Sequence, residues 1–290
     1  MNTIWSSCVQ NIGTLYLSRT LRFSDEYKEK YMDAFHIENK KRILEIGCGP
    51  GALAQSLARW YPDSEIVSLD RDTAFIQFAR KQAPHIKFVE ADAAALPFKD
   101  KSFDVVISNT VQEHIEPSRF FGEQYRVLKP SGICLVLSVR KGINITADCI
   151  AQQSSFEIEV WKRVEPFFRE MEREYHVGQY PMSESELPSV MEKYGFRQVS
   201  TDYLTVNLTP DNPGNSKELA YAMINAHRQT NIDAVNSLPQ IAPRMVTEDE
   251  IQEMKKRINE RYDKRIKLYD KGIKQWDTSM VLIMILRGIK

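Results

Sequence analysis

Cysteine is scarce in this chain of 290 residues, and none of it is clustered. The four cysteines, Cys8, Cys48, Cys134 and Cys149, include no CxxC pair. That spacing excludes a zinc ribbon and any secreted disulfide framework, and reduced thiols in a cytoplasm are the expectation. Net charge is missing as well: 39 Lys and Arg balance 39 Asp and Glu. A neutral chain has no global attraction to nucleic acid or to an anionic membrane. Long hydrophobic runs are also lacking. The longest, "MVLIMIL" at Met280–Leu286, is far short of the roughly 20 residues a spanning helix needs, so no membrane span is expected. The first residues, "MNTIWSSCVQNIG", lack a basic stretch followed by an apolar one, so no signal peptide is expected either. There is no low-complexity segment and no internal repeat.

What is present is an alternating rhythm from Arg42 to about Val139. "RILEIG", "EIVSLD", "IKFVEAD", "SFDVVISN" and "ICLVLSV" read as strands. "ALAQSLARWY", "TAFIQFARKQA" and "PSRFFGEQYRVL" read as helices between them, with "KPSG" as a turn. Strands apolar on both faces and separated by helices imply a parallel sheet covered on both sides. Asp72 precedes "TAFIQFA" as a helix cap, and Pro117 suits a first helical turn.

After Arg140 the rhythm breaks. Residues 141–182 and 208–275 read as helical insertions around a capped helix ending at Gly195 and a strand, "RQVSTDYLTVNL". "DTSMVLIMIL" is the last strand. The helix near 247–274 carries Ile251, Met254, Ile258, Tyr262, Ile266, Tyr269 and Ile273 on one stripe. Its many Lys and Arg sit four residues after acids, as in Glu253–Arg257, Glu260–Lys264, Asp263–Lys267 and Asp270–Lys274. That pattern predicts a solvated face rather than a nucleic-acid or lipid surface.

The chemistry concentrates in "LEIGCGPG". Gly47, Gly49 and Gly51 follow a strand and open a helix, which lets a ligand approach the backbone closely and meet helix N-terminal amides. The loose dinucleotide pattern G-x-G-x-x-G/A is satisfied by Gly47, Gly49 and Ala52. Glu45 separates the readings. A carboxylate beneath a bound pyrophosphate would repel it, and an unpaired buried carboxylate is costly. A ligand with an ammonium or a sulfonium would instead favour the acid, and S-adenosylmethionine has both.

With these residues in view, "LEIGCGPG" resembles motif I of the class I S-adenosylmethionine-dependent methyltransferases. "VSLDRD" places Asp70 19 residues after Gly51, where the family's acid takes the ribose hydroxyls. "EADAAALPF" resembles the adenine motif, with Asp92 and the Ala93 amide at the ring. "SFDVVISNTVQEHI" resembles the fourth strand, with Ser108 and Asn109 at its carboxyl end. "RVLKPSG" and "ICLVLSV" resemble the turn and fifth strand. The resemblance covers about residues 42–139 and points to the UbiE-like, type 11 group. It implies an α/β, Rossmann-like class I methyltransferase fold: a seven-stranded mixed sheet, helices on both faces, helical cap insertions and an antiparallel last strand. Residues 1–40 would form part of the cap and residues 41–290 the methyltransferase domain. Cofactor contacts are expected from Glu45, Gly47, Cys48, Gly49, Gly51, Asp70, Asp92, Ala93 and Asn109. Arg71 either covers an adenine face or is exposed, and Cys48 is a spacer rather than a catalytic thiol.

The acceptor is less legible. "SNTV" after strand four is not the D/N-P-P-Y/F signature of enzymes acting on planar amino groups, and there is no Pro-Cys nucleophile. The expected function is methyl transfer to a small organic acceptor held in an enclosed, largely apolar pocket under aromatic-rich caps. The alternatives are a peptide, protein or RNA methyltransferase, a non-catalytic cofactor-binding regulator, and a nicotinamide-dependent oxidoreductase, which Glu45 disfavours. His114 is a candidate base or acceptor-orienting group, and His176 and Tyr180 are candidate acceptor contacts. No metal is expected.

Overall fold

A computed structural model describes residues 5–38, 41–140 and 152–290. Cys149 and the beginning of the 141–182 insertion lie outside the described residues, as does the Cys8 side chain. A π-helical turn, Trp5–Val9, leads into α1 (Ile12–Arg22) and α2 (Lys28–Phe35). The alternating region follows as β1 (Arg42–Ile46), α3 (Ala52–Trp60), β2 (Glu65–Asp70), α4 (Thr73–Gln82), β3 (Lys87–Glu90), β4 (Phe103–Asn109), α5 (Pro117–Val127) and β5 (Leu128–Arg140). Then come α6 (Ser155–Glu174), α7 (Glu186–Lys193), β6 (Arg197–Leu208), α8 (Lys217–Ile241), α9 (Glu248–Asp270) and β7 (Ser279–Ile289).

The seven strands form one mixed sheet in the order β3-β2-β1-β4-β5-β7-β6, with β7 antiparallel to both neighbours. The order reverses between β1 and β4, so the loops after their carboxyl ends open a crevice there, where open α/β sheets place ligands.

Alternate residues of each parallel strand face opposite cores. Ile43, Ile107, Leu135 and Leu137 pack on one face with Trp60 and with Phe23, Tyr31 and Phe35 from the N-terminal helices. Leu44, Ile46, Val106 and Val136 pack on the other with Phe120 and Phe121 of α5 and Leu187 and Met191 of α7. Each fully buried side chain of this size stabilises the fold by about 1.5–3 kcal/mol. A third core joins α6, α8 and α9 through Val160, Val164, Ile224, Leu238, Met254 and Ile258, so the two insertions build one cap.

Two expectations change. "KPSG" is a bulge inside one 13-residue strand: the register jumps from Phe103↔Leu128 to Val105↔Ile133, and Ser131 takes φ +61°. The charged face of α9 is also not all solvated. Ile251, Met254, Ile258 and Tyr262 are buried as the stripe predicts, but Ile273 lies beyond the helix and is half exposed. In its place Arg261 and Arg265 turn inward. Arg261 pairs with buried Glu157 of α6, and Arg265 pairs with Asp211 at 2.8 Å and Asp277 at 2.6 Å. Glu253–Arg257 forms along the helix, while Asp263 reaches Arg228 and Asp270 reaches Lys217 on α8. Helix-to-helix geometry overrides the local i,i+4 choice because α8 lies alongside.

Candidate active site

The crevice at the strand reversal is a cleft of about 890 Å³ counted out to its mouth. Gly47, Cys48, Gly49 and Pro50 of the glycine turn line its floor, while Gly51 lies against Ala79 and Phe88 instead. Gly47, Gly49 and Gly51 have φ of +68°, +52° and +86°, a region that non-glycine residues avoid. Gly47 has a second constraint, since a Cβ there would lie 2.2 Å from Val111 Cγ2.

Glu45 lies under this turn, 2% exposed. The β1–β2 register sets it opposite Ser68, whose hydroxyl donates to Oε2 at 2.8 Å. Burial, reinforced by the nearby Asp70 carboxylate and opposed by the Ser68 bond, pushes its carboxyl up to about 8. The acid therefore sits mostly protonated at neutral pH and is poised to ionise against a cation.

Asp70 closes the end of β2. Its Oδ2 accepts from the Gly49 amide at 2.8 Å and its Oδ1 from the Asp72 amide at 2.9 Å. Burial raises its pKa, and these two amide bonds oppose the rise. Asp72 caps α4 through bonds from the Ala74 and Phe75 amides. Asp92 Oδ1 accepts from the Ala94 amide, which shapes the loop that brings Asp92 and Ala93 to the cleft wall. Asn109 also lines the cleft, and its buried Oδ1 has no partner. Cys48 is buried and burial pushes its thiol up, which suits a spacer.

The N-terminal segment roofs the cleft. Trp5 lies edge-on to His114, with ring centroids 4.7 Å apart, and the Arg71 guanidinium sits 5.7 Å from the Trp5 ring. The Ser6 amide donates to Asp72 at 3.1 Å. Arg71 is exposed and stands at the cleft beside Trp5. From α1, Leu15 and Arg19 reach the cleft, and Arg19 donates to the Thr110 hydroxyl at 3.3 Å.

His114 lines the cleft, and its acceptor nitrogen is already engaged. Nδ1 accepts from the Gly178 amide at 2.8 Å, and Nε2 is 3.9 Å from the Glu113 carboxylate. Burial, with a smaller contribution from Arg71, lowers its pKa to about 4. A neutral imidazole with its acceptor nitrogen already used holds a loop in place and has no lone pair to offer a proton. His176 is exposed and does not line the cleft. Tyr180 does not line it either; its backbone bonds Glu113 and Gln112 and so ties the segment after α6 to the loop after β4.

Trp5, Gln10, Leu15 and Arg19 are cleft residues without a motif. Trp5 stands in the aromatic-rich N-terminus, but nothing in the spacing of Arg19 marks it, because its position depends on how α1 crosses the sheet.

Residues 44–136 match the family model described as a methyltransferase domain. Over this stretch, about a third of its length, the chain is similar to the methyltransferase domain family. It is 37% identical over 131 residues to a phthiotriol/phenolphthiotriol dimycocerosates methyltransferase of Mycobacterium ulcerans, covering 42% of this chain and 48% of that protein. It is 38% identical over 109 residues to a fatty-acid O-methyltransferase of Mycolicibacterium smegmatis, covering 36% and 39%. It is 35% identical over 128 residues to a demethylmenaquinone methyltransferase of Thermus thermophilus, covering 42% and 58%. The matches thus span about half the length of these relatives or less. Among solved structures, Haemonchus contortus phosphoethanolamine N-methyltransferase 2 in complex with S-adenosyl-L-methionine aligns over 99% of this chain and 59% of its own, at TM-score 0.54 and 16% identity. The cyclase SpnF aligns over 92% and 81%, at TM-score 0.50 and 17% identity. At these identities the likeness is one of fold. Among the described residues no helix is long and apolar enough to cross a membrane, and no three His, Cys, Asp or Glu gather as metal ligands.

Proposed function

We propose that this chain binds S-adenosylmethionine and transfers its methyl group to a small organic acceptor. The observation that carries the reading is Glu45: a buried, mostly protonated acid beneath a three-glycine turn, facing a cleft. A cation placed there draws the acid into its charged form, whereas a pyrophosphate would meet an acid floor and no lysine or arginine in the turn. The buried, unpartnered Oδ1 of Asn109 supports the same fit, because it needs a donor such as an ammonium or an amide.

In this reading Glu45, Gly47, Cys48, Gly49 and Asn109 hold the methionine end. Asp70 keeps lone pairs for ribose hydroxyls beside its two amide bonds, while Asp92 and Ala93 hold the adenine edge. The first turn of α3 has no side-chain cap; its amides suit the methionine carboxylate. S-adenosylmethionine held by these residues would supply an activated methyl group to the acceptor. The chain's contribution is alignment and exclusion of water. Trp5, Leu15 and the His114 loop close the cleft, and His114, held by Gly178 and Trp5, positions that wall. The relatives' names, a fatty acid and a demethylmenaquinone among them, support a small acceptor rather than a protein or RNA.

Calorimetric titration with S-adenosylhomocysteine, and separately with NAD, tests the cofactor, using Asp70→Ala as control. The expected result is micromolar affinity for the first, lost in the variant. Preference for NAD would sink the reading. Binding without turnover on any acceptor would favour a non-catalytic regulator.

A further inference from the structure

A second cavity lies beside the cofactor cleft, between the N-terminal segment and α8. It measures about 1250 Å³ counted to its mouth and shares Gln10, Leu15 and Arg19 with the cleft. Its walls mix polar and apolar groups. Ser6, Asn11, Thr14, Ser18, Asn236 and Ser237 present hydroxyls and amides, and Phe168 of α6 is the one aromatic residue there.

Two of the lining residues are charged, Arg19 and Asp233. Asp233 is already engaged by the Thr14 hydroxyl and, at 2.8 Å, by the Gln229 amide. Arg19 is not comparably engaged. Its side chain makes one long bond, to Thr110, and no carboxylate lies in ion-pair range among the described residues. Arg22, one turn further along α1, is 9% exposed, and its Nε and Nη1 have no partner. Two guanidiniums desolvated one turn apart repel each other, and burying them without a counter-charge is costly. Burial, then Arg22, lower the Arg19 pKa, and Glu113 at longer range only partly offsets them. An anion at the junction of the two cavities would relieve Arg19, and a guanidinium suits a carboxylate or phosphate in bidentate geometry.

We propose that Arg19 anchors an anionic acceptor, a small polar molecule bearing a carboxylate or phosphate, which occupies the hydroxyl-lined cavity between α1 and α8 and meets the methyl group where the two cavities join. This rests on the cofactor reading above. The cofactor's own carboxylate is the competing source of the same charge, and the test separates the two.

Wild type, Arg19→Gln, Arg19→Lys and Ser237→Trp are titrated first with S-adenosylhomocysteine. Each is then saturated with it and titrated with inorganic phosphate and with propionate. The expected result has four parts. The loaded wild type binds at least one of the anions, Arg19→Gln weakens that binding tenfold or more, Arg19→Lys restores part of it, and Ser237→Trp abolishes it by filling the cavity. All four chains keep their S-adenosylhomocysteine affinity within about threefold, which also shows that they fold. A tenfold or greater loss of S-adenosylhomocysteine affinity in Arg19→Gln, with no anion bound by the loaded wild type, would assign the guanidinium to the methionine carboxylate and overturn the proposal. Anion binding indifferent to Arg19→Gln or to Ser237→Trp would overturn it too. Failure of wild type to bind S-adenosylhomocysteine at all is a different result and refutes the cofactor reading instead.

Discussion

Glutamine at position 45 preserves the shape and hydrogen-bonding capacity of a protonated glutamic acid but cannot ionise, which makes Glu45→Gln a direct probe of the cleft. With a carboxyl held at about 8 in the free protein, about 90% of it is protonated at pH 7. A bound ammonium or sulfonium that brings the group below about 5 forces out that proton, roughly 0.9 per site at pH 7. Apparent affinity then rises with pH until the free group ionises by itself, and the dissociation constant of wild type should weaken by roughly fiftyfold from pH 7.5 to 5.5. Glu45→Gln should show no such slope from this group. It should lie about fourfold behind wild type at pH 5.5, where the bound acid is already mostly ionised, and roughly two-hundredfold behind at pH 7.5. Calorimetry of S-adenosylhomocysteine in buffers of different ionisation heat reads both the affinity and the released proton. His114, held near 4, contributes little in this window. Flat affinity in wild type, no buffer dependence, or a variant as tight as wild type at pH 7.5 would refute the role given to this acid.

Other consequences follow for stability. The free folded chain holds a Glu45 proton that the unfolded chain releases above about pH 4.5, so stability should fall as pH rises from 4.5 to 8, by at most about 5 kcal/mol. Urea denaturation at pH 5.5 and 8 checks this, and Glu45→Gln should remove the fall. His114 acts in the opposite direction: its folded pKa of about 4 lies below the usual 6.5, so the neutral ring's contribution is full above pH 6.5. That contribution, about 3 kcal/mol, is lost as pH drops toward 4; His114→Asn, whose carbonyl can still accept from Gly178, should blunt this loss in Trp fluorescence melts. Gly47→Ala combines a positive φ with a Cβ 2.2 Å from Val111 Cγ2 and should cost about 3 kcal/mol or more. Adding Val111→Ala should recover the contact part and leave the backbone strain, about 1–2 kcal/mol, as read by denaturant midpoints. Arg265→Met strands buried Asp211 and should destabilise by about 3–5 kcal/mol; a loss under 1 kcal/mol would show that the Gln275 and Trp276 amides, which also bond Asp211, suffice to hold it.

Much of the sheet half was legible because its constraints are local. A parallel strand buried on both faces must be apolar throughout, and a turn at positive φ must use glycine, so β1, β2, β4 and the Gly47–Gly51 turn show in the order of residues. Asp72 and Pro117 were readable as helix-start residues for the same reason. The cap was harder. Arg261 and Arg265 have the spacing of solvent-facing charges, and only the approach of α6 and of the segment before β7 buries them against Glu157, Asp211 and Asp277. His114 follows β4 where a reactive group is plausible, yet its Nδ1 is taken by Gly178, 64 residues away.

The order of residues sets the alternating sheet and the glycine turn, because each depends on backbone conformation or on neighbours along the chain. Only the tertiary structure decided that Trp5 roofs the cleft, that His114 is held rather than free, and that Arg19 stands at the meeting of two cavities with no carboxylate in ion-pair range. Those facts depend on where α1 and the π-helical turn cross the sheet and on how α8 lies against them. Such crossings are set by the packing of whole helices, and no single stretch of residues encodes them.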